Sequence, residues 1–250
     1  GYSNLCRNGV RGSSIQIQVE ELQGDTGRVR PRQRRASPSK ILVGHGGSRH
    51  KREVTNLKFI SEAVELKGFA VAAIDGPVHG ARRGDRSTEP SDIQNDFLDL
   101  WQSPGNGVAE MIADWQASVT MLLNEPKLAD LAVGYFGLSM GTAFGLPLVA
   151  NDIRIGAAVL GMWGSNYPNS NILVNAASQV KCPVLFMHKA DDHLFTLDGA
   201  LEIYDTMPGG DKRLLITPGP HCEATSEQIE TALTFFTHRL VNNRNRSSNF

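Results

Sequence analysis

The sequence predicts an α/β fold: a doubly wound, mostly parallel sheet flanked by helices, with no large cap domain. Three observations carry this. The runs ILVG after Lys40, FAVAAI from Phe69 and LAVGYF from Leu131 are short and continuously apolar, as expected of strands buried on both faces. Each ends in a glycine-containing turn. Between them the apolar residues recur at helical spacing, so strand, helix and strand alternate, which is the unit of a parallel sheet.

The elements follow in order. Residues 15–20, IQIQVE, alternate apolar and polar and read as a half-exposed strand near a sheet edge. Five of the eight residues 28–35 are arginine, which reads as a solvated loop, with an anion-binding arm as the alternative. Residues 1–39 are thus an atypical N-terminal segment, edge strand plus Arg-rich loop. The main domain spans 40–241. It opens with ILVG and the turn HGGS, then a helix over 54–67 through Leu57, Ile60, Val64 and Leu66, capped by Gly68. The strand FAVAAIDG follows. Residues 108–123 form a helix and LAVGYFG a strand, with a further helix from Thr142 to Val149. IGAAVLG, the KCPVLFMH run and KRLLITP supply three more strands, interleaved with a short helix before Gln179 and a helix over 198–206. Residues 226–241 close the domain as an amphipathic helix, and 242–250 are a polar tail. Two segments break the rhythm: 79–107, rich in charge, Gly and Pro, and the roughly 20 residues before Pro183. Both follow strand C-termini, where open parallel sheets bind ligands, and are the expected substrate rim.

Composition bounds the function. A chain of 250 residues can build one large core, and 40% hydrophobic with 20% charged residues excludes a wholly disordered or fibrous protein. A formal net charge of −1 gives no global attraction to nucleic acid or anionic membrane. No run approaches the ~20 apolar residues of a membrane span. Cys6, Cys182 and Cys222 are odd in number and lack CxxC spacing, so a reducing compartment, the cytoplasm, is the expectation. The opening lacks the apolar stretch of a secretory signal, but export is not decided from this end.

Chemistry concentrates at Gly137-Leu138-Ser139-Met140-Gly141, a G-x-S-x-G pentapeptide between an apolar strand and a helix-compatible run. A serine on so sharp a turn needs small neighbours, and the first N–H groups of the following helix point at the anion formed when it attacks a carbonyl. The alternative is a packing turn. A serine hydroxyl needs a base, and the base an orienting carboxylate. His221, in the turn PGPHCE before the last helix, is the candidate base, and Asp191 and Asp192 after PVLFMH are candidate acids. Serine, acid and histidine then stand in the chain order of a nucleophile elbow.

The blocks ILVGHGG, AAIDGPVHG, GYFGLSMG, PVLFMHKADDHLF and TPGPH, in this order over about residues 40–240, resemble the α/β-hydrolase superfamily, close to its dienelactone-hydrolase-like and related serine esterase members. The resemblance implies a Ser139–His221–Asp192 triad, with Asp191 one register away as the competing acid. It implies an oxyanion hole from the backbone N–H groups of Gly47 and Met140. It also implies local hydrogen bonding, not catalysis, for His45, and a pocket wall braced by Asp75 and His79. Dienelactone hydrolases proper use cysteine as nucleophile; serine here points to carboxylic ester or thioester substrates, cleaved through an acyl-enzyme without a cofactor. The first 40 residues depart from the family in lacking two clean opening strands.

Other residues carry weaker expectations. Trp163, just past a strand end, is the aromatic candidate for the substrate pocket together with His79, whereas Trp115 falls in a helical stripe and reads as core. Cys222 reads as a small buried filler. His188, Asp191, Asp192 and His193 lack the spacing of a zinc site, so no metal is expected. The rival functions are a non-catalytic binding protein on the same fold; a peptidase, perhydrolase or C–C hydrolase using the same triad; and a nucleic-acid arm at 28–35. Partners are a small-molecule ester or thioester, with no nucleic acid and no membrane span; homodimerisation is left open.

Overall fold

The computed structural model describes residues 2–8 and 14–20 as backbone strands, and residues 39–84, 87–126, 128 and 132–241. The Arg-rich segment 28–35 and the tail 242–250 lie outside the described residues. Among the described residues eight strands form one sheet: β1 (Tyr2–Asn8), β2 (Ser14–Glu20), β3 (Lys40–Gly44), β4 (Ala70–Ala73), β5 (Val133–Gly137), β6 (Ile155–Gly161), β7 (Val184–Lys189) and β8 (Lys212–Thr217), in the order β1-β2-β4-β3-β5-β6-β7-β8. From β4 to β8 all pairing is parallel, while β2 runs antiparallel to both β1 and β4. Two strands therefore open the chain, contrary to the sequence expectation. The edge is β1, whose YSNLCRN has no apolar alternation, and β2 lies one place in from it.

The strands were legible because burial on both faces demands continuous apolar runs. Successive residues of β3 and β5 alternate between two cores. Leu42 and Tyr135 face a cluster with Trp101, Trp115, Phe144 and Trp163, whereas Ile41, Val43 and Phe136 face one with Phe59, Leu185 and Phe236. Helix α1 (Val54–Ser61) continues as a π-helical turn over Glu62–Leu66, and its Phe59 ring stacks on Phe136 at 4.0 Å.

One helix was not expected. α2 (Pro90–Gln102) occupies the segment read as loop, with Pro90 at its start and Ile93, Phe97 and Trp101 buried at steps of four. Its remaining positions are largely polar, which masks the apolar stripe. The other helices are α3 (Val108–Asn124), α4 (Met140–Asn151), α5 (Asn171–Ala177), α6 (Leu197–Thr206) and α7 (Ser226–Phe236), the last begun by a Thr225–Gln228 capping box.

The strand order fixes where a site can form. After β3 the chain turns to β4 on one side, and from β5 onward it builds the other, so the loops leaving β3 and β5 diverge at a switch point. Those loops carry HGGS and GLSMG. Among the described residues no helix is long and apolar enough to cross a membrane.

Candidate active site

Ser139 stands between β5 and α4 with φ 56° and ψ −124°, a conformation that a serine keeps only when its surroundings impose it. The restraints are visible. Ser139 N–H donates to Gly161 O at 3.0 Å. The Thr142 hydroxyl lies 2.9 Å from Gly137 O and 2.6 Å from Gly161 O, and accepts from Gly161 N–H at 2.7 Å, tying β5, α4 and β6 together beneath the turn. The flanking glycines are required by contact: a Cβ on Gly137 would meet Gly141 O at 2.7 Å, and one on Gly141 would meet Gly44 O at 3.0 Å.

His221 and Asp192 reach the serine from the segments after β8 and β7. Ser139 Oγ lies 3.1 Å from His221 Nε2, and His221 Nδ1 lies 2.7 Å from Asp192 Oδ2. Because an ionised carboxylate only accepts, it holds the proton of neutral His221 on Nδ1 and leaves Nε2 free to accept from the hydroxyl. Asp192 Oδ1 also accepts from the N–H groups of Leu194 at 2.9 Å and Phe195 at 3.0 Å. Burial pushes the Asp192 carboxyl up, but the His221 and backbone hydrogen bonds outweigh it and hold the group below the usual carboxylate range. Asp191 does something else. Its Oδ2 accepts from Gly219 N–H at 3.0 Å while its own N–H donates to Gly219 O at 3.1 Å, clamping the turn that carries His221.

Gly47 and Met140 are neighbours: a Cβ on Gly47 would stand 3.7 Å from Met140 Cβ. Met140 is the first residue of α4, so its N–H has no partner within the helix. The Gly47 loop is braced from below. His79 Nε2 lies 3.0 Å from Gly47 O and its Nδ1 2.5 Å from Pro77 O. His45 Nε2 accepts from Gly76 N–H at 2.9 Å, and its Nδ1 lies 2.9 Å from Gly46 O. Burial, seconded by the nearby His79, pushes His45 down to about 3, and burial lowers His79 as well. Asp75 holds the same loop cluster through Lys51 Nζ at 2.6 Å, Lys51 N–H at 3.0 Å and Ala81 N–H at 3.1 Å. Burial of Asp75 works against its ionisation, but the Lys51 hydrogen bonds and charge prevail and keep its pKa below normal.

Ser139 and His221 line a cavity of about 240 Å³ together with Gly46, Gly47, Asn56 and Leu138. This is below the roughly 300–1,000 Å³ typical of ligand pockets, so it suits small groups. Arg49 and Glu223, a 3.7 Å ion pair with both side chains about half exposed, join the β3–α1 loop to the residues after His221 across its rim.

Two expected pocket residues lie elsewhere. Trp163 is 1% exposed, donates from Nε1 to Ser170 Oγ at 2.9 Å and stacks on Phe195 at 4.5 Å; it is core. His79 is fully buried behind Gly47, not on the cavity surface. Of the long segments expected as the substrate rim, 79–107 is absent from this cavity's lining and folds in part as α2, while the one before Pro183 reaches the cavity at Met162 and packs through Asn166 against Leu194 and Thr196. Cys222 is exposed and lines the cavity, so it is not a buried filler. The polar residues of the wall, Arg49, Glu53, Asn56 and Glu223, escaped sequence reasoning because no motif joins them. Trp115 is core, as its helical stripe indicated. His188 is fully buried and desolvation lowers its pKa, while Asp191 and Asp192 are engaged by Gly219 and His221; among the described residues no three His, Cys, Asp or Glu side chains form a metal-holding group.

Among solved structures, the chain is similar to a cold-adapted esterase from an Arctic intertidal metagenomic library, bound to PEG, with 27% identity, a TM-score of 0.72, and coverage of 96% of this chain and 99% of that one. An esterase from Pyrococcus furiosus shares the fold at 17% identity, with a TM-score of 0.66 and coverage of 96% and 93%. An acylaminoacyl peptidase from Pyrococcus horikoshii does so at 14% identity and a TM-score of 0.66, covering 96% of this chain and 41% of that one. No curated protein matches the chain. The family model for the dienelactone hydrolase family matches residues 50–216, which include Ser139 and Asp192 and stop short of His221. On that match, over a doubly wound sheet shared with esterases, the chain belongs to the dienelactone hydrolase family and has the α/β-hydrolase fold.

Proposed function

We propose that the protein is a serine esterase that cleaves small carboxylic esters or thioesters through an acyl-enzyme. The observation that carries this is the hydrogen-bond relay from Asp192 through His221 to Ser139, 2.7 Å and 3.1 Å long, opening on a small cavity. Ser139 Oγ attacks the carbonyl carbon as its proton passes to His221 Nε2. The carbonyl oxygen becomes an anion between the N–H groups of Gly47 and Met140, which are already fixed in place and so need no reorganisation. Ionised Asp192 stabilises the imidazolium. Collapse breaks the bond to the leaving oxygen or sulfur, which takes the proton from His221, and leaves the acyl group on Ser139. Water then attacks the acyl carbon, gives its proton to His221, and the second collapse releases the acid and returns the proton to Ser139 Oγ. The steps need only these groups and water.

Hydrolysis of p-nitrophenyl acetate by the parent and by Ser139→Ala tests this, alongside labelling with a fluorophosphonate. The parent should be labelled at Ser139 and the variant should lose activity by at least about a thousandfold. Equal rates for the two proteins would remove Ser139 from the chemistry.

A further inference from the structure

We infer that the Asn56 side-chain amide reads the substrate, selecting small esters that carry a hydrogen-bonding group close to the scissile carbonyl. This rests on the esterase reading above and adds a substrate class to it. Asn56 is the third residue of α1 and lines the same cavity as Ser139 and His221. It is 3% exposed. Its backbone N–H donates to Glu53 Oε1 at 2.8 Å, which fixes the first turn of the helix and with it the root of the side chain. The side-chain nitrogen Nδ2 is buried and has no hydrogen-bond partner among the described residues.

A buried amide without a partner is costly, and the wall around it does not require one. Phe136, Leu138 and Met162 line the same space, so a leucine at position 56 would pack there without the penalty. The amide is therefore explained by a partner that arrives with the ligand. A half-turn about its last torsion exchanges N–H and C=O, so the amide serves an ether, a hydroxyl or a carbonyl. The volume of about 240 Å³ limits that group to a few atoms from the carbonyl.

The test uses matched esters in which one methylene becomes an ether oxygen: p-nitrophenyl butyrate against p-nitrophenyl methoxyacetate for the acyl side, and n-butyl acetate against 2-methoxyethyl acetate for the alcohol side. kcat/KM is measured for the parent, Asn56→Leu, Asn56→Asp and Ser139→Ala. In one of the two pairs, the ratio of ether to hydrocarbon ester should fall by about three- to tenfold in Asn56→Leu, the size of one lost neutral hydrogen bond. The pair that responds shows which side of the ester the cavity holds. Asn56→Asp keeps the shape but removes the donor, so it should lower the same ratio even where the leucine variant fails to fold. Unchanged ratios in both pairs, or both members of a pair falling by one factor, would overturn the inference. Full activity in Ser139→Ala, or no hydrolysis of any of the four esters by the parent, would instead overturn the esterase reading on which it stands.

Discussion

Replacing Asp192 and Asp191 separately by asparagine should produce very different enzymes, although the two carboxylates are adjacent in sequence. Asp192 accepts three hydrogen bonds: from Leu194 N–H at 2.9 Å and Phe195 N–H at 3.0 Å through Oδ1, and from His221 Nδ1 at 2.7 Å through Oδ2. In Asp192→Asn the two backbone donors hold the amide oxygen, so the NH₂ group turns to His221. An N–H cannot face an N–H without loss, and the imidazole answers by moving its proton to Nε2. Nε2 then donates towards Ser139 instead of accepting, and the base is gone. The imidazolium formed during attack also loses its counter-charge. Together these correspond to a fall of about 10⁴ in kcat, roughly 5.5 kcal/mol of barrier. Asp191→Asn, by contrast, keeps an oxygen for Gly219 N–H and leaves the relay untouched; its kcat should stay within about threefold of the parent, the scale of a weakened neutral hydrogen bond. Steady-state hydrolysis of p-nitrophenyl acetate at neutral pH measures both. An Asp192→Asn enzyme within tenfold of the parent, or an Asp191→Asn enzyme as impaired as its neighbour, would refute the assignment of the acid.

Two further outcomes follow from the braces around the site. Thr142→Val keeps the shape of the side chain but removes the hydroxyl that joins Gly137 O to the Gly161 backbone, leaving buried groups unpaired; unfolding by urea should show a loss of about 1–3 kcal/mol, and a midpoint equal to the parent's would contradict that role. His45→Gln can keep an acceptor for Gly76 N–H but cannot titrate. In the unfolded chain His45 takes a proton near pH 6.5, whereas in the fold burial holds it neutral down to about 3, so the unfolded state binds the extra proton between these values. Stability therefore falls with pH below 6.5, by about 1.4 kcal/mol per unit from this group. Between pH 6.5 and 4.5 the parent should lose about 2–3 kcal/mol more than His45→Gln in urea titrations, and parallel losses would show that the ring is not held neutral.

What could be read from the sequence was what local physics demands. β3, β5, β6 and β7 are buried on both faces and so had to be continuous apolar runs; Ser139 sits where a strand meets a helix through two glycines, each forced by a contact within 3.0 Å. α2 was hidden because only the side facing Trp163 and Phe144 needs to be apolar, and Ile93, Phe97 and Trp101 suffice for that among many polar residues. β1 was hidden for a related reason: an edge strand is specified by backbone pairing, here Tyr2 to Asn8 against Glu20 to Ser14, and asks little of its side chains. Position 192 against 191 could not be resolved from residue types, since it depends on which way a loop turns. The cavity was beyond reach altogether, because Asn56, Met162 and Glu223 meet there from three separate parts of the chain.

The histidines show how sequence pattern and role can part. His45, His79 and His221 lie in turns beyond strand ends and His188 lies within β7, yet of the four only His221 stands between a serine hydroxyl and a carboxylate. The difference is exposure to a charge that can follow protonation. His221 has Asp192 within 2.7 Å on one side and the cavity on the other, the arrangement that the proposed mechanism uses to pass a proton in each half-reaction. His45 and His79 are buried among backbone groups, and desolvation holds both below the ordinary histidine range. Their ring nitrogens bear on the main chain: His45 bridges Gly46 O and Gly76 N–H, while His79 lies against the carbonyls of Pro77 and Gly47, to one of which a neutral ring donates. A neutral His45 donates from Nδ1 and accepts at Nε2, so it holds both of its bonds at once. In the proposed mechanism an oxyanion site made of main-chain N–H groups is only as fixed as the loop that bears them, and His45 and His79 serve it by packing against the loop that carries Gly47.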